Sequence, residues 1–361
     1  MSTGTIHRRG SNDVMKCLST KTLVCGVLLG ACFVCAGDGH DASYPAIDII
    51  SSELIWDRAP HNAFTDIINY KNKWYVSFRE GKSHGSMDGR ARILQSTDGE
   101  EWVSVANFMH KGVDLRDPKL TITPDGRLMA GVGARFPNDE RQPMVWFTED
   151  GETWTQGKAV GERNVWMWDF ETRGDWIYSF GYRTDAYRPK PPRNRYSRFV
   201  RLYRSKDGLV WEQLTDIEYG REYINETAFD FASDGTMYAL MRSDSGPKEV
   251  RVGVSEPPYT EWTWKSTAQR MGGPTLNVVK DKWLLGGGRV KTSSDRKTIF
   301  FWVAPETAGL EEAVVLPSTH ECGYPAMHID DEGMIWVSYY SSQSGKTGIY
   351  VAKLRLEQNG L

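Results

Sequence analysis

Short apolar segments with alternating large and small residues recur along the chain, each after a polar turn. Successive side chains of a strand point to opposite faces, so this alternation predicts strands packed between neighbouring sheets. No long segment repeats its apolar residues every 3.6 positions, as a helix facing a core does. The six copies end at Arg79, Arg135, Arg183, Arg242, Arg289 and Tyr340, at intervals of 56, 48, 59, 47 and 51 residues.

These intervals suit one four-stranded sheet and its connections per copy. Six such units account for residues 37–361 without a second domain. We therefore predict an all-β fold, a single six-bladed β-propeller over residues 37–361.

A second repeat has the pattern Ser/Thr-x-Asp-Gly-x-x-Trp and occurs at 96–102, 148–154 and 205–211. In its first copy, Asp98 can accept hydrogen bonds from nearby amides and Gly99 can adopt a positive φ, which predicts a hairpin turn. The repeat is therefore interpreted as scaffold that marks the blades.

The composition excludes some classes of partner. The chain has 44 basic and 47 acidic residues and a formal net charge of −3, without a basic cluster, which argues against nucleic acid. No phosphate loop, nucleotide-binding fingerprint or metal-ligand spacing is present, so no cofactor and no metal are expected. The predicted partner is a small molecule.

The N-terminus has the pattern of an export signal. Lys16 and Lys21 precede an apolar run from Thr22 to Ala36 that is too short for a membrane span. Residues 1–36 are therefore predicted to be a signal peptide, with Met15 as the suspected true start. Two outcomes stay open: cleavage after Ala36, or attachment of a lipid to Cys32. Either predicts a secreted, periplasmic or cell-surface protein.

The repeated turn resembles the Asp-box of sialidase-like propellers, and the segments from about Ser52 onward resemble bacterial exo-sialidases. The resemblance implies a triad of arginines that grips the substrate carboxylate: Arg58 in "DRAP", Arg242 in "ALMR" and Arg289 in "GGGR". Arg79 in "FREG" resembles an additional pocket arginine. The first motif departs from the family, because aspartate and alanine flank Arg58 where an aromatic residue and isoleucine are usual.

The resemblance also implies the catalytic groups. Tyr324 in "ECGYPAM" matches the nucleophile, and Glu226, 16 residues before the second triad arginine, matches its base. Asp88 lies where the family has its acid/base aspartate, and His84 is a rival for that role. Asp117 in "RDP" resembles a pocket aspartate.

Structural alternatives accompany these assignments. Tyrosine can pack between blades, an Asn-Glu pair can cap a turn, and Asp88 before Gly89 is a natural turn pair. In "WMWDF", Trp166 or Trp168 can form a platform for a sugar ring, and packing between blades is the alternative.

The chemistry explains why a tyrosine would be used. A sialic acid carries a carboxylate on its anomeric carbon, which would repel a carboxylate nucleophile. Phenol is a weak nucleophile while protonated, so Glu226 would accept its proton. Asp88 would then need a raised pKa to act as the acid.

The sequence thus predicts a secreted, exo-acting, retaining glycoside hydrolase of the sialidase type. A glycosidase for another acidic sugar, such as a uronic or ulosonic acid, is one alternative. A non-catalytic carbohydrate-binding propeller is the other.

Overall fold

The computed structural model describes residues 44–184, 199–218 and 222–357. The predicted export signal, with Cys32, lies outside them. The described residues form 24 β-strands and no helix, in six four-stranded antiparallel sheets. The sheets are the blades of a β-propeller, so the predicted fold class is confirmed.

Each blade is built from consecutive strands, except that the first strand of the chain belongs to the last blade. Blade 1 contains β2 (His61–Tyr70), β3 (Lys73–Gly81), β4 (Arg90–Ser96) and β5 (Val103–Phe108). Blade 2 contains β6 (Asp114–Ile122), β7 (Leu128–Arg135), β8 (Arg141–Thr148) and β9 (Lys158–Ala159). Blade 3 contains β10 (Val165–Arg173), β11 (Trp176–Arg183), β12 (Val200–Ser205) and β13 (Glu212–Ile217).

The second half of the ring repeats this order. Blade 4 contains β14 (Ile224–Phe231), β15 (Met237–Ser243), β16 (Arg251–Ser255) and β17 (Thr263–Ser266). Blade 5 contains β18 (Gly272–Val279), β19 (Trp283–Lys291), β20 (Arg296–Ala304) and β21 (Gly309–Val315). Blade 6 contains β22 (Cys322–Ile329), β23 (Ile335–Ser341), β24 (Gly348–Leu356) and β1 (Ile47–Trp56).

The ring is closed by β1, which pairs antiparallel with β24 and so joins the two ends of the described chain. The innermost strands of the six blades are β2, β6, β10, β14, β18 and β22. Each contacts the corresponding strand of the next blade around the axis. Apolar side chains fill the space between blades: Val76 and Leu94 of blade 1, for example, share a cluster with Trp336 and Val351 of blade 6. None of the described segments is a helix long and apolar enough to cross a membrane.

Both sequence repeats have fixed places in the blades. The six copies with the 47–59 residue interval are the second strands, β3, β7, β11, β15, β19 and β23. The Asp-Gly repeat is the turn after the third strand of blades 1, 2 and 3. In its first copy Asp98 accepts hydrogen bonds from the amides of Glu100 (2.8 Å) and Glu101 (3.0 Å), and Gly99 has φ +74°. These turns stabilise the hairpins, and the candidate site lies elsewhere.

Candidate active site

The first strand of every blade carries an irregularity at the same place. Its pairing with the second strand shifts register after Ala63, Arg116, Met167, Ile224, Gly272 and Gly323. A β-bulge of this kind leaves residues out of the ladder and changes the direction of their side chains. The bulges contain Phe64, Asp117, Trp168, Glu226, Gly273 and Tyr324, and we call this set the bulge ring.

Four members of the bulge ring have a left-handed backbone. The φ angles are +63° at Phe64, +48° at Asp117, +58° at Gly273 and +49° at Tyr324. Such angles are uncommon for residues with a Cβ and tend to be kept at functional sites. The local fold therefore holds an aromatic ring, a carboxylate and a phenol in unusual conformations around one axis.

Tyr324 and Glu226, from blades 6 and 4, meet directly. The Tyr324 hydroxyl donates a 3.0 Å hydrogen bond to Oε1 of Glu226. Oε2 of Glu226 accepts hydrogen bonds from Nη1 of Arg242 and from the Gly273 amide, the latter at 2.9 Å. Nη1 of Arg242 also lies 3.2 Å from the Tyr324 oxygen. The carboxylate is thus fixed with one oxygen aimed at the phenol.

The ionisation of Tyr324 follows from this environment. Burial, and then the charge of Glu226, raises the pKa of Tyr324 to about 12, against the opposing charges of Arg242 and Arg289. The phenol is therefore protonated at neutral pH, and a base is needed for it to act as a nucleophile. Glu226 is in position to be that base.

Arg289 places a second guanidinium beside the phenol. Its Cζ lies 5.3 Å from the centroid of the Tyr324 ring. A Cβ at Gly272 would lie 3.2 Å from Nη2 of Arg289 and 3.7 Å from Cζ of Arg242, so both arginines flank this glycine. Among the residues that the structure describes, none accepts a hydrogen bond from Arg289. A half-buried guanidinium without an acceptor is suited to an anionic ligand.

Asp117 is a buried carboxyl group in the same site. Its side chain lies in the bulge of β6, and Oδ1 has no hydrogen-bond partner among the described residues. Burial raises the pKa of Asp117 to about 6; the charge of Arg116 opposes the shift and that of Glu226 adds to it. The group can therefore donate or accept a hydrogen bond near neutral pH.

A depression of about 290 Å³ opens over these groups. Tyr324, Glu226 and Asp117 lie in its lining, while Arg242 and Arg289 contact Tyr324 without being part of that lining. The other lining residues come mainly from blades 1 to 4: Phe64, Arg116, Arg135, Asp139, Arg141, Trp166, Tyr182, Thr184 and Tyr223.

Arg79 is a scaffold residue, and its predicted contact with substrate is wrong. Its side chain is completely buried and Nε donates a 2.7 Å hydrogen bond to Oδ1 of Asp114, whose side chain is also fully buried. Its other nitrogens donate to the carbonyl oxygens of Ser83 (3.0 Å) and Ser86 (2.9 Å). The arginine holds the loop between β3 and β4, and its complete burial keeps it from contact with a ligand.

The structure also separates Arg58 and Trp168 from the depression. Arg58 is exposed and stacks on Trp56, with 4.2 Å between Cζ and the ring centroid. Trp168 is only 2% exposed, so it cannot be the predicted sugar platform. Its ring packs edge-on against that of Tyr324 with 5.6 Å between centroids, and so supports the phenol from below.

Asp88 and His84 lie on the same loop but face different surroundings. Asp88 lines a separate depression with His110, and its Oδ1 accepts a 3.2 Å hydrogen bond from the Lys82 amide. Partial burial acts to raise the pKa of Asp88, but hydrogen bonds from Ser86 and Lys82 outweigh it and the net shift is downward. The prediction that Asp88 has a raised pKa, as an acid would need, is therefore wrong. His84 instead contacts Glu321 and Phe64.

Phe64 is a residue of the site that the sequence interpretation did not identify. Phe64 packs against Tyr324 with 4.9 Å between ring centroids, and Arg116 lies over Phe64 with Cζ 4.9 Å from its centroid. A usable signal was present, because Phe64, Asp117 and Trp168 are spaced by 53 and 51 residues, the interval of the blades. The recurrence of these residues at the blade interval identifies the bulge ring better than any single motif does.

Comparison with known proteins supports the fold. No protein-family model and no curated protein matches the chain. Among solved structures, a protein of unknown function from Dyadobacter fermentans has a TM-score of 0.71 and 17% identity, covering 87% of this chain and all of that one. The α-L-arabinofuranosidase of Fusarium graminearum, solved with arabinobiose, has a TM-score of 0.65 and 12% identity, with 85% and 98% covered.

The sialidase of Trypanosoma rangeli is also similar, with a TM-score of 0.62 and 11% identity. The alignment covers 82% of this chain but 55% of that chain, so this chain spans about half of the trypanosomal protein. At these identities the likeness concerns the propeller fold.

Proposed function

We propose that the protein is a retaining exo-glycosidase that removes a terminal sugar with a carboxylate on its anomeric carbon. Sialic acid is the first candidate, and a related ulosonic acid is the next. The observation that carries the proposal is the 3.0 Å hydrogen bond between the Tyr324 phenol and Glu226. Beside it lies the guanidinium of Arg289, for which the described residues offer no hydrogen-bond acceptor.

The nucleophile and the anion site support each other chemically. The phenolate equivalent generated by Glu226 attacks the anomeric carbon, while the arginines neutralise the adjacent carboxylate of the substrate. A carboxylate nucleophile would be repelled there, which is why tyrosine suits this class of sugar. Loss of the glycosidic oxygen leaves a glycosyl-tyrosine, which water then hydrolyses with retention of configuration.

Arg242 and Arg289 supply two of the three positive charges expected for such a site. The third in this proposal is Arg116 of blade 2, in place of Arg58. It lines the depression with Tyr324, and its only hydrogen-bond contact among the described residues is a long one of 3.4 Å to Asp114. Asp117, with its unpartnered Oδ1, would bind a hydroxyl or acylamino group of the sugar.

A neutral furanoside is the second candidate substrate. It is favoured by the arabinofuranosidase among the similar structures and by the carboxyl groups of Asp117 and Glu226, two of the three that line the depression with Asp139. A neutral substrate leaves the guanidinium of Arg289, which has no acceptor among the described residues, without a function. A carbohydrate-binding propeller without catalysis would likewise leave the Tyr324–Glu226 contact unexplained.

The test is hydrolysis of methylumbelliferyl glycosides of sialic acid, glucuronic acid and arabinofuranose. We expect turnover of the sialoside, loss of turnover in Tyr324→Phe, and no change in Tyr238→Phe, a control in the second strand of blade 4. Preference for the arabinofuranoside, with Tyr324→Phe still active, would establish the second candidate. Glycan binding without turnover of any glycoside would contradict both enzymatic proposals.

We also propose that the protein is exported. The proposal rests on the apolar segment that follows Lys16 and Lys21. Mass spectrometry of the mature protein from a bacterial host would distinguish cleavage after Ala36 from lipid attachment at Cys32, and an uncleaved cytoplasmic product would contradict export.

A further inference from the structure

Two histidines and a glutamate converge where blades 1 and 6 meet. His61 begins β2, His84 lies in the loop between β3 and β4, and Glu321 immediately precedes β22. Nε2 of His61 and Nδ1 of His84 lie 2.8 Å and 2.9 Å from the same oxygen, Oε1 of Glu321. The mechanism proposed above uses none of the three.

The protons of this cluster can be assigned from its geometry. Hydrogen bonds from His61, then from His84, hold the pKa of Glu321 well below its usual range, so the group is a carboxylate at neutral pH. A carboxylate only accepts hydrogen bonds, so each contacting nitrogen carries a hydrogen. Nε2 of His84 is then the free nitrogen of a half-exposed ring, with no hydrogen-bond partner among the described residues.

The cluster lies next to the nucleophile. The His84 ring meets Phe64 edge-on with 5.2 Å between centroids, and Phe64 meets Tyr324 in the same way at 4.9 Å. The rings of His61 and His84 are 5.4 Å apart. One aromatic ring, that of Phe64, therefore separates the imidazole of His84 from the phenol of Tyr324.

We propose that His84 is the acid and base of the reaction, and that Glu321 and His61 are positioning residues. This inference rests on the proposed glycosidase function. The imidazolium gives its Nε2 proton to the glycosidic oxygen as the bond to the anomeric carbon breaks. The neutral imidazole then takes a proton from the water that attacks the glycosyl-tyrosine, and Glu226 returns its proton to the Tyr324 oxygen that leaves.

The charges around His84 are mixed. Glu321 places a negative charge against the ring, whereas Arg135, whose Nη1 lies 3.5 Å from the Gly85 carbonyl, and Arg79, bonded to the Ser83 carbonyl, bring positive charges to the same loop. Lys82 and Asp88 on the same loop bring one charge of each sign. The carboxylate is the only one of these groups in direct contact with the ring of His84, so its removal should shift the pH dependence most.

A divalent metal is the competing interpretation, because ligand atoms of His61, His84 and Glu321 lie within 4.8 Å of one another. If a metal bound Nε2 of His61, the ring would carry its hydrogen on Nδ1. That atom is buried and has no hydrogen-bond partner among the described residues. Histidines that bind a metal normally donate the hydrogen of their second ring nitrogen to an acceptor. The cluster therefore fits histidines that are hydrogen-bonded to Glu321 better than histidines that bind a metal.

The test compares two leaving groups in the complete exported chain. An aryl sialoside with an acidic phenol needs little help from an acid, whereas a sialyl-galactoside needs protonation of its leaving oxygen. We expect His84→Ala to lower kcat/KM about 100-fold to 10,000-fold for the sialyl-galactoside and about tenfold or less for the aryl sialoside. Asp88→Asn, on the same loop, and His110→Ala, a matched exposed histidine, should leave both rates unchanged.

The positioning role of Glu321 has its own readout. Glu321→Gln should move the alkaline limb of the kcat/KM profile to lower pH, whereas a purely structural role would lower the rate without moving the limb. Metal content and the effect of a chelator are measured on the same samples.

Each result bears on a different proposal. Equal losses for both substrates in His84→Ala, or a large selective loss in Asp88→Asn, would overturn the assignment of His84. A stoichiometric metal whose removal abolishes turnover would do the same in favour of a metal centre. Absence of turnover of either substrate by the wild-type protein would overturn the glycosidase proposal, and this inference with it.

Discussion

Replacement of Glu226 by glutamine tests the central contact of the site. The amide keeps the size of the side chain and can still accept hydrogen bonds from Arg242 and from the Gly273 amide. It cannot take the proton of Tyr324. The variant therefore removes the base with little change of shape, and turnover should depend on phenol that has ionised by itself.

The size of the effect follows from the pKa of Tyr324, which is about 12 with Glu226 present. Removing the negative charge lowers it toward the ordinary value of about 10, so the ionised fraction at neutral pH lies between about 10⁻⁵ and 10⁻³. We therefore expect kcat to fall about 1,000-fold or more near pH 7, equivalent to about 4 kcal/mol of activation free energy. The residual rate should rise about tenfold per pH unit up to about pH 9, as the phenolate becomes populated.

The assay is the pH dependence of kcat on the fluorogenic sialoside, with Tyr324→Phe as the control that has no phenol to ionise. Thermal unfolding of both variants shows whether the fold is intact. A loss below tenfold, or a residual rate independent of pH, would refute the assignment of Glu226 as the base. A rise with pH in Tyr324→Phe would refute the assignment of the nucleophile.

Three further predictions concern the scaffold. Arg79→Met should lower the free energy of unfolding by about 3–5 kcal/mol, because it leaves the buried carboxylate of Asp114 with only its long contact to Arg116 among the described residues. Exposed Arg58→Met should change this free energy by less than about 0.5 kcal/mol in urea titrations, and equal effects would contradict the buried pair. Gly273→Ala should lower kcat more than stability, since its Cβ would lie 2.5 Å from Cγ of Tyr324, and unchanged kinetics would contradict the close approach. The free energy of unfolding should decrease by about 2 kcal/mol or more as the pH rises from about 5 to about 7.5. Buried carboxyl groups whose pKa is higher in the folded than in the unfolded chain stabilise the fold only while they are protonated. A thermal midpoint that is higher at the upper pH would contradict this. Burial is the main cause of pKa values of about 6 at Asp66, Asp117 and Asp230.

The fold was predictable because its unit repeats. A single strand such as "WYVSFR" is ambiguous, but six copies at 47–59 residue intervals leave few architectures. The Asp-Gly turns added three independent markers with the same period. The sequence could not show that β1 is the outer strand of the last blade. Outer strands have little repeated hydrophobic pattern, and β1 pairs only with β24.

The site was predictable where several segments had to agree. Tyr324, Glu226 and Arg242, from three different strands, are brought into contact by the fold. Arg79 and Trp168 have suitable chemistry at suitable positions, yet the fold buries both, and burial of a strand residue depends on which neighbour packs over it. Residue type and spacing therefore predicted which residues of different blades come together. They did not predict which of these side chains are exposed to solvent.

The bulge ring explains why the sequence predicted the positions of some residues of the candidate site and not of others. A one-residue slip turns a strand's side chains to the other face, so strict alternation misplaces residues near a bulge. The bulges nevertheless leave a mark, because a residue outside the ladder needs no amide donor and proline is tolerated there. Pro118, Pro274 and Pro325 follow Asp117, Gly273 and Tyr324 at that position.

The same bulges also join neighbouring blades. The carbonyl oxygen of Tyr324 accepts a 3.0 Å hydrogen bond from Thr65, and that of Pro118 accepts one of 2.9 Å from Ser77, each from the adjoining blade. Tyr324 is therefore held at its backbone as well as by Glu226. Pro325, which follows Tyr324, is a residue that a bulge at this position tolerates. A dipeptide ending in proline, repeated at the blade interval, is thus a sequence signal for the bulges that line the candidate site.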